Sequence, residues 1–199
     1  MSVFGFVRRT TKRLYTQLQE AGTDAEKERA REALRATAVF GACSSRTLGA
    51  LASAMHPRTY QPGEVIYHEG DPGLGLYVVE EGQVRLCADW EHERTDMRIV
   101  GSGRLFGALS LAGDFRRMET AEAITTVRVY GLFRPDLSSL NNRHPRAAIE
   151  ALQTLNRLMA RQYIDLIDII ADRDGDEVAL QSYAEASARA AETASSKSK

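Results

Sequence analysis

Residues 103–123 read GRLFGALSLAGDFRRMETAEA and gather the residue types with which a chain can hold an anion. A turn glycine, Phe106, Gly107 and the run Ala108, Leu109 and Ser110 predict a short helix whose free backbone N–H groups and dipole attract a phosphate. Arg116 and Arg117 follow in a small basic loop, and an arginine beside such a helix start can add a charge-assisted, bidentate bond. Glu119 comes next, and the alternation of a strand begins at Thr120 and Ala121.

Other chemistries find no support in the residues. His56, His68, His92 and His144 are scattered without metal-ligand spacing, and Cys43 and Cys87 form no CxxC pair, so no metal or other cofactor is expected. EHE at 91–93, and Glu80 with Glu81 in a hairpin, are solvated charge rather than a paired acid and base, and GLGL at 73–76 lacks the strand-then-helix setting of a dinucleotide loop. An enzyme is not expected. A net charge of -1 over 199 residues leaves no global field that would draw the chain to nucleic acid.

The elements that must position the cassette are legible from periodicity. Val3, Val7, Leu14 and Leu18, beside Arg8, Arg9, Lys12 and Arg13, predict a basic amphipathic helix. Thr23 to Glu26 spell a capping box for a helix to about Ala38, and Ser44 caps a second short helix. From His56 the pattern turns strand-like: VIY, LYVV, VRLCA, MRIV, TAEAI and VRVYGL are separated by glycine-rich turns, with no helical crossovers. Pro135 and Pro145 suit helix starts. The long helix from Pro145 to about Ala171 carries Leu152, Leu155, Met159, Leu166 and Ile169 at spacings of three and four, with Gln162 filling the gap. Such a stripe calls for a partner helix, most simply that of a second copy.

Helices before, a small antiparallel roll around a short helix, and a long helix after it resemble the cyclic nucleotide-binding domain of catabolite-activator-type regulators. The resemblance rests on YQPGEVIYHEGDPGLGLYVVEEGQVRL and GSGRLFGALSL and covers residues 36 to 171. It implies a cassette in which helix-start N–H groups hold a cyclic phosphate, an arginine neutralises it, and a glutamate accepts the ribose hydroxyl. Gly107, Ala108, Leu109 and Ser110 match the helix start, but Ala108 stands at the glutamate position. Because Thr120 and Ala121 match the residues after the arginine, the register places Glu119 at the arginine position, where it would repel a phosphate. Arg116 or Arg117 could restore the charge only by reshaping the loop.

These readings predict an α+β protein with an antiparallel β-roll, or jelly roll, of about seven to eight short strands. Residues 1–35 would form an N-terminal helical extension, 36–144 the roll, 145–175 a dimerisation helix, and 176–199 a polar, partly disordered tail. The expected function is regulatory or scaffolding, through a homodimer and an unidentified protein partner, without binding cyclic AMP in the family's manner. The alternatives are a cyclic-nucleotide or other second-messenger sensor using Arg116 or Arg117, and a peripheral membrane adaptor resting weakly on residues 3–18. With 28 residues after Ala171, specific DNA binding is not expected, and the lack of a signal-like or spanning apolar segment predicts a cytoplasmic location.

Overall fold

The computed structural model describes residues 24–90 and 93–196. The expected basic helix at residues 3–18 lies outside them, as do Glu91 and His92 of the expected turn. The chain divides into two compact units, one reaching to Thr154 and the other starting at Leu155.

The first unit opens with α1 (Asp24–Ala36) and α2 (Ser45–Ala52), the latter capped by Ser44, whose hydroxyl accepts from the Thr47 N–H. Eight strands follow: β1 (His56–Tyr60), β2 (Val65–Tyr67), β3 (Gly75–Glu81), β4 (Gln83–Trp90), β5 (Glu93–Gly101), β6 (Leu105–Phe106), β7 (Thr120–Ala123) and β8 (Val127–Phe133). The four-residue helix α3 (Leu109–Ala112) lies between β6 and β7. After β8, α4 (Arg134–Arg143) starts with Pro135 in its first turn, where the Phe133 N–H donates to Asp136 Oδ2 at 3.0 Å.

The strands pair antiparallel in two four-stranded sheets, ordered β1-β8-β3-β6 and β2-β7-β4-β5. Alternation sends one face of each sheet inward, and Val79 and Val129 from the first sheet meet Val84, Val100, Ala121 and Ala123 from the second. This is the expected roll. Two strands escaped the sequence reading. β1 carries Pro57 and little apolar periodicity, and β6 is two residues long, too short for any pattern to show.

One charged cluster ties α1 to the roll, and a second group of bonds around a carboxylate joins two helices. The Tyr130 hydroxyl donates to Glu26 Oε1 at 2.6 Å, Arg128 also bonds Glu26 and pairs with Glu80 at 2.7 Å, and Arg29 reaches Glu80 at 2.8 Å. The Tyr130 bond, with Arg128 beside it, holds the Glu26 carboxyl below its ordinary range. At the start of α2, Glu150 accepts from the Ser44 N–H at 2.7 Å, the Ser44 hydroxyl at 2.8 Å and the Thr47 hydroxyl at 2.5 Å. Glu150 lies on α5 (Pro145–Asp174), which begins in the first unit as Pro145 suggested.

The second unit comprises the rest of α5 and a further helix, α6 (Asp176–Ser196). Gly175, at φ +96°, separates the two. The tail expected to be partly disordered is thus helical over 21 residues, consistent with its alanine-rich composition. Among the described residues, no helix is long and apolar enough to cross a membrane.

Candidate functional site: an arginine inside the β-roll

The site begins with a box of rings. Tyr77 stacks on Phe106 with centroids 5.2 Å apart and meets Phe133 edge-on at 5.9 Å, and Tyr67 lies 6.1 Å from Tyr77 and 6.0 Å from Phe106. All four rings are buried, because β2, β3, β6 and β8 turn these alternate positions inward.

Into this box projects Arg117, only 6% exposed. Its guanidinium carbon lies 3.9 Å from the Tyr67 ring centroid, Nη2 donates to the Gly75 carbonyl at 2.8 Å, and Nη1 donates to that of Gly107 at 3.3 Å. Nε is buried without a hydrogen bond. The backbone fixes this direction. The Arg117 N–H donates to the Asp71 carbonyl at 2.8 Å, the Gly70 N–H donates to the Arg117 carbonyl at 2.9 Å, and Arg116 bridges Pro72. The loop before β7 is therefore zipped to the turn after β2, an interaction that strand alternation within residues 118–123 cannot reveal.

The placement of Glu119 at the arginine position is corrected accordingly. Arg117 enters the roll without any reshaping, while Glu119, half-buried, accepts a 2.8 Å bond from the Tyr67 hydroxyl. Burial, followed by the charge of Glu119, pushes the Tyr67 hydroxyl pKa well above the ordinary tyrosine range, so the phenol stays protonated and donates. Arg116 turns outward to the Gly70 carbonyl at 2.6 Å and is exposed.

The remaining cassette residues fall around this arginine. Gly107 has φ +73°, a backbone that favours glycine, and a Cβ there would displace the Arg117 guanidinium from its observed place. Ala108 and Ser110 are buried at the start of α3, Phe106 belongs to the ring box, and Leu109 is exposed. Ala108 offers no hydrogen-bond acceptor. Thr120 accepts from the Glu69 N–H at 3.0 Å, and Ala121 is fully buried in the core. Along α5, Leu155 is buried and Met159 half-buried, whereas Leu152, Gln162, Leu166 and Ile169 are exposed. Among the described residues no cluster of histidine, cysteine or acidic side chains could hold a metal. Sequence reasoning passed over Tyr67 and Tyr77 as functional side chains. The inward alternation of VIY and LYVV was the available signal.

An antiparallel roll, a glycine-started short helix and a buried, inward arginine together make up the site. Residues 57–144 match the family model of the cyclic nucleotide-binding domain, and through this domain the chain belongs to that family. It is 34% identical over 111 residues to the cyclic AMP receptor protein of Thermus thermophilus, covering 55% of this chain and 51% of that protein. It is 28% identical over 140 residues to a CRP-like cAMP-activated global transcriptional regulator of Mycobacterium tuberculosis, covering 70% and 62%. The crystal structure of the N-terminal domain of a transcriptional regulator from Streptomyces coelicolor superposes with a TM-score of 0.59 at 30% identity, covering 67% of this chain and 94% of that one. The chain spans between half and two thirds of the length of these two curated relatives.

Proposed function

We propose that the roll binds a cyclic nucleotide through Arg117 and that the chain is a non-enzymatic regulatory module rather than one with an empty pocket. The observation that carries this reading is the buried, inward guanidinium, held by two carbonyls and the rings of Tyr67 and Tyr77 and left with an unsatisfied Nε–H. No carboxylate forms an ion pair with it among the described residues, so its charge is available to an anion. A buried cation with spare donors costs stability unless a ligand uses it. Relatives named for cyclic AMP support the same ligand class.

Calorimetry with cyclic AMP and cyclic GMP tests the reading. The wild type is expected to bind at least one of them, and Arg117→Ala to weaken that binding by about 10- to 100-fold, the worth of a charge-assisted bond. A folded wild type that takes up neither nucleotide would return the pocket to a ligand-free role.

A second reading concerns assembly. We propose that α5 and α6 pair with the same helices of a second copy, because Leu166, Ile169, Leu180 and Tyr183 leave apolar surface exposed. Residues 36–144 would then sense, and the helices after them would assemble.

A further inference from the structure

We infer that Tyr67 and Glu119 are positioning residues: the Glu119 carboxylate fixes and polarises the Tyr67 phenol, whose ring face holds the Arg117 guanidinium in place for an anion. This rests on the nucleotide reading above and adds the means by which the arginine keeps its pose.

A carboxylate holds a buried cation most strongly, but it also neutralises the charge that a ligand would need. A backbone carbonyl leaves the charge in place and occupies one N–H donor. A ring face attracts the cation through its quadrupole and takes up neither a donor nor the charge. Arg117 is held in the last two ways. The Gly75 and Gly107 carbonyls accept from Nη2 at 2.8 Å and Nη1 at 3.3 Å, and the guanidinium carbon lies 3.9 Å from the Tyr67 centroid and 5.9 Å from that of Tyr77. Tyr67 is therefore the ring in closest contact with the charge.

The same ring is fixed at both ends. Its body packs against Tyr77 and Phe106, and its hydroxyl donates to Glu119 Oε1 at 2.8 Å. Arg117 and Glu119 thus meet one side chain, the first at its face and the second at its hydroxyl. A phenol that donates to a carboxylate gains electron density in its ring, which strengthens its hold on a cation above the face. The phenol stays protonated, because burial and then the Glu119 charge push its pKa up, so the donated bond persists. Among the described residues no ion pair joins Glu119 to Arg117, and the carboxylate acts on the arginine through the ring.

The test measures by calorimetry the affinity for whichever of cyclic AMP and cyclic GMP the wild type binds. The variants are Tyr67→Phe, Tyr67→Leu, Glu119→Ala and the pair Tyr67→Phe with Glu119→Ala, each made with Arg117 present and with Arg117→Ala, and each checked for folding by circular dichroism. Tyr67→Leu is expected to weaken binding about tenfold, and Tyr67→Phe and Glu119→Ala about threefold each, within the range of a ring–cation contact. The pair should be no weaker than either single change, because both break the same bond. With Arg117→Ala in place, none of these changes should weaken binding further, whereas a merely structural role would cost the same with or without the arginine. In nuclear magnetic resonance, the Arg117 Nε–H proton, assigned by its loss in Arg117→Ala, should lie upfield through the ring current in the wild type and in Tyr67→Phe, and move downfield in Tyr67→Leu. Should Tyr67→Leu fail to fold, Tyr67→Phe, Glu119→Ala and their pair decide the matter. Glu119→Ala binding as tightly as the wild type or more tightly, which is the behaviour of a carboxylate that only repels the anion, overturns this inference and leaves the nucleotide reading intact. Losses that persist undiminished without Arg117 do the same. A folded wild type that binds neither nucleotide overturns both.

Discussion

At the scale of the residue, the site depends on positions where only one side chain fits. Gly107 combines a left-handed backbone, which strains a Cβ, with the approach of Arg117 Nη1, which a Cβ would push aside. Gly107→Ala is expected to lower stability in urea by about 1–2 kcal/mol and to weaken nucleotide binding as much as Arg117→Ala does. Unchanged binding would show that the arginine need not hold its observed pose. A second residue-scale expectation concerns acid. The Glu26 carboxyl, depressed by its bonds from Tyr130 and Arg128, favours the folded state above its ordinary pKa of 4.5, and that contribution is lost as pH falls through the lower folded value. Glu26→Gln should therefore cost stability at pH 7 and progressively less below about pH 4, followed by chemical denaturation at several pH values. These residues also mark what a linear reading can and cannot reach. Gly107 and Ala108 were legible because backbone demands are local. The entry of Arg117 was not, because it depends on the pairing of Arg117 with Asp71 across 46 residues of chain.

At the scale of the element, the short helix α2 depends on a carboxylate from far along the chain. Ser44 caps it in the expected way, yet Glu150, 106 residues later, bonds the Ser44 N–H, the Ser44 hydroxyl and the Thr47 hydroxyl. A serine hydroxyl satisfies one helix-start donor, and the carboxylate takes another group while turning the hydroxyls toward itself. Removing Glu150 leaves the Ser44 N–H and the Thr47 hydroxyl to find water, while the Ser44 hydroxyl keeps Thr47 Oγ1 at 3.0 Å, so Glu150→Ala is expected to destabilise the first unit by about 2 kcal/mol, with Glu150→Gln losing less. Urea titration followed by circular dichroism measures both, and equal losses would deny the carboxylate's charge a role. The strands divide along the same line of locality. VIY, LYVV, VRLCA, MRIV, TAEAI and VRVYGL declared themselves by alternation, but β1 and β6 are strands because β8 and β3 pair with them. The helix α6 was read only as part of a polar, partly disordered tail because its composition is rich in Ala, Ser and Glu, while alanine's helical preference acts without a pattern.

At the scale of the whole molecule, the second unit poses the question of what covers it. Ala179 is its deeply buried α6 residue, Tyr163 and Tyr183 touch with centroids 5.9 Å apart, and Ile164, Leu166, Ile169, Val178 and Leu180 stand at 45% exposure or more. Helices draw most of their stability in proteins from burying an apolar face, and this much exposed aliphatic surface supplies little. Pairing with a second copy would bury these side chains against their own kind, as closed two-fold assembly favours. The wild type is expected to run in light scattering at twice the 22.0 kDa of one chain. Leu166→Asp combined with Ile169→Asp should reduce that mass to one chain, because both side chains are exposed and their replacement leaves the first unit's core untouched. Leu155, at 3% exposure, is the wrong probe, since a charge there would confuse unfolding with dissociation. If the wild type already runs as a single chain, or the double variant keeps the wild-type mass with circular dichroism unchanged, the apolar face serves some purpose other than self-association. Calorimetry on the same double variant then separates the two roles of the chain. Binding unchanged in the monomer places sensing in the roll alone, whereas binding lost with the dimer makes assembly part of the site.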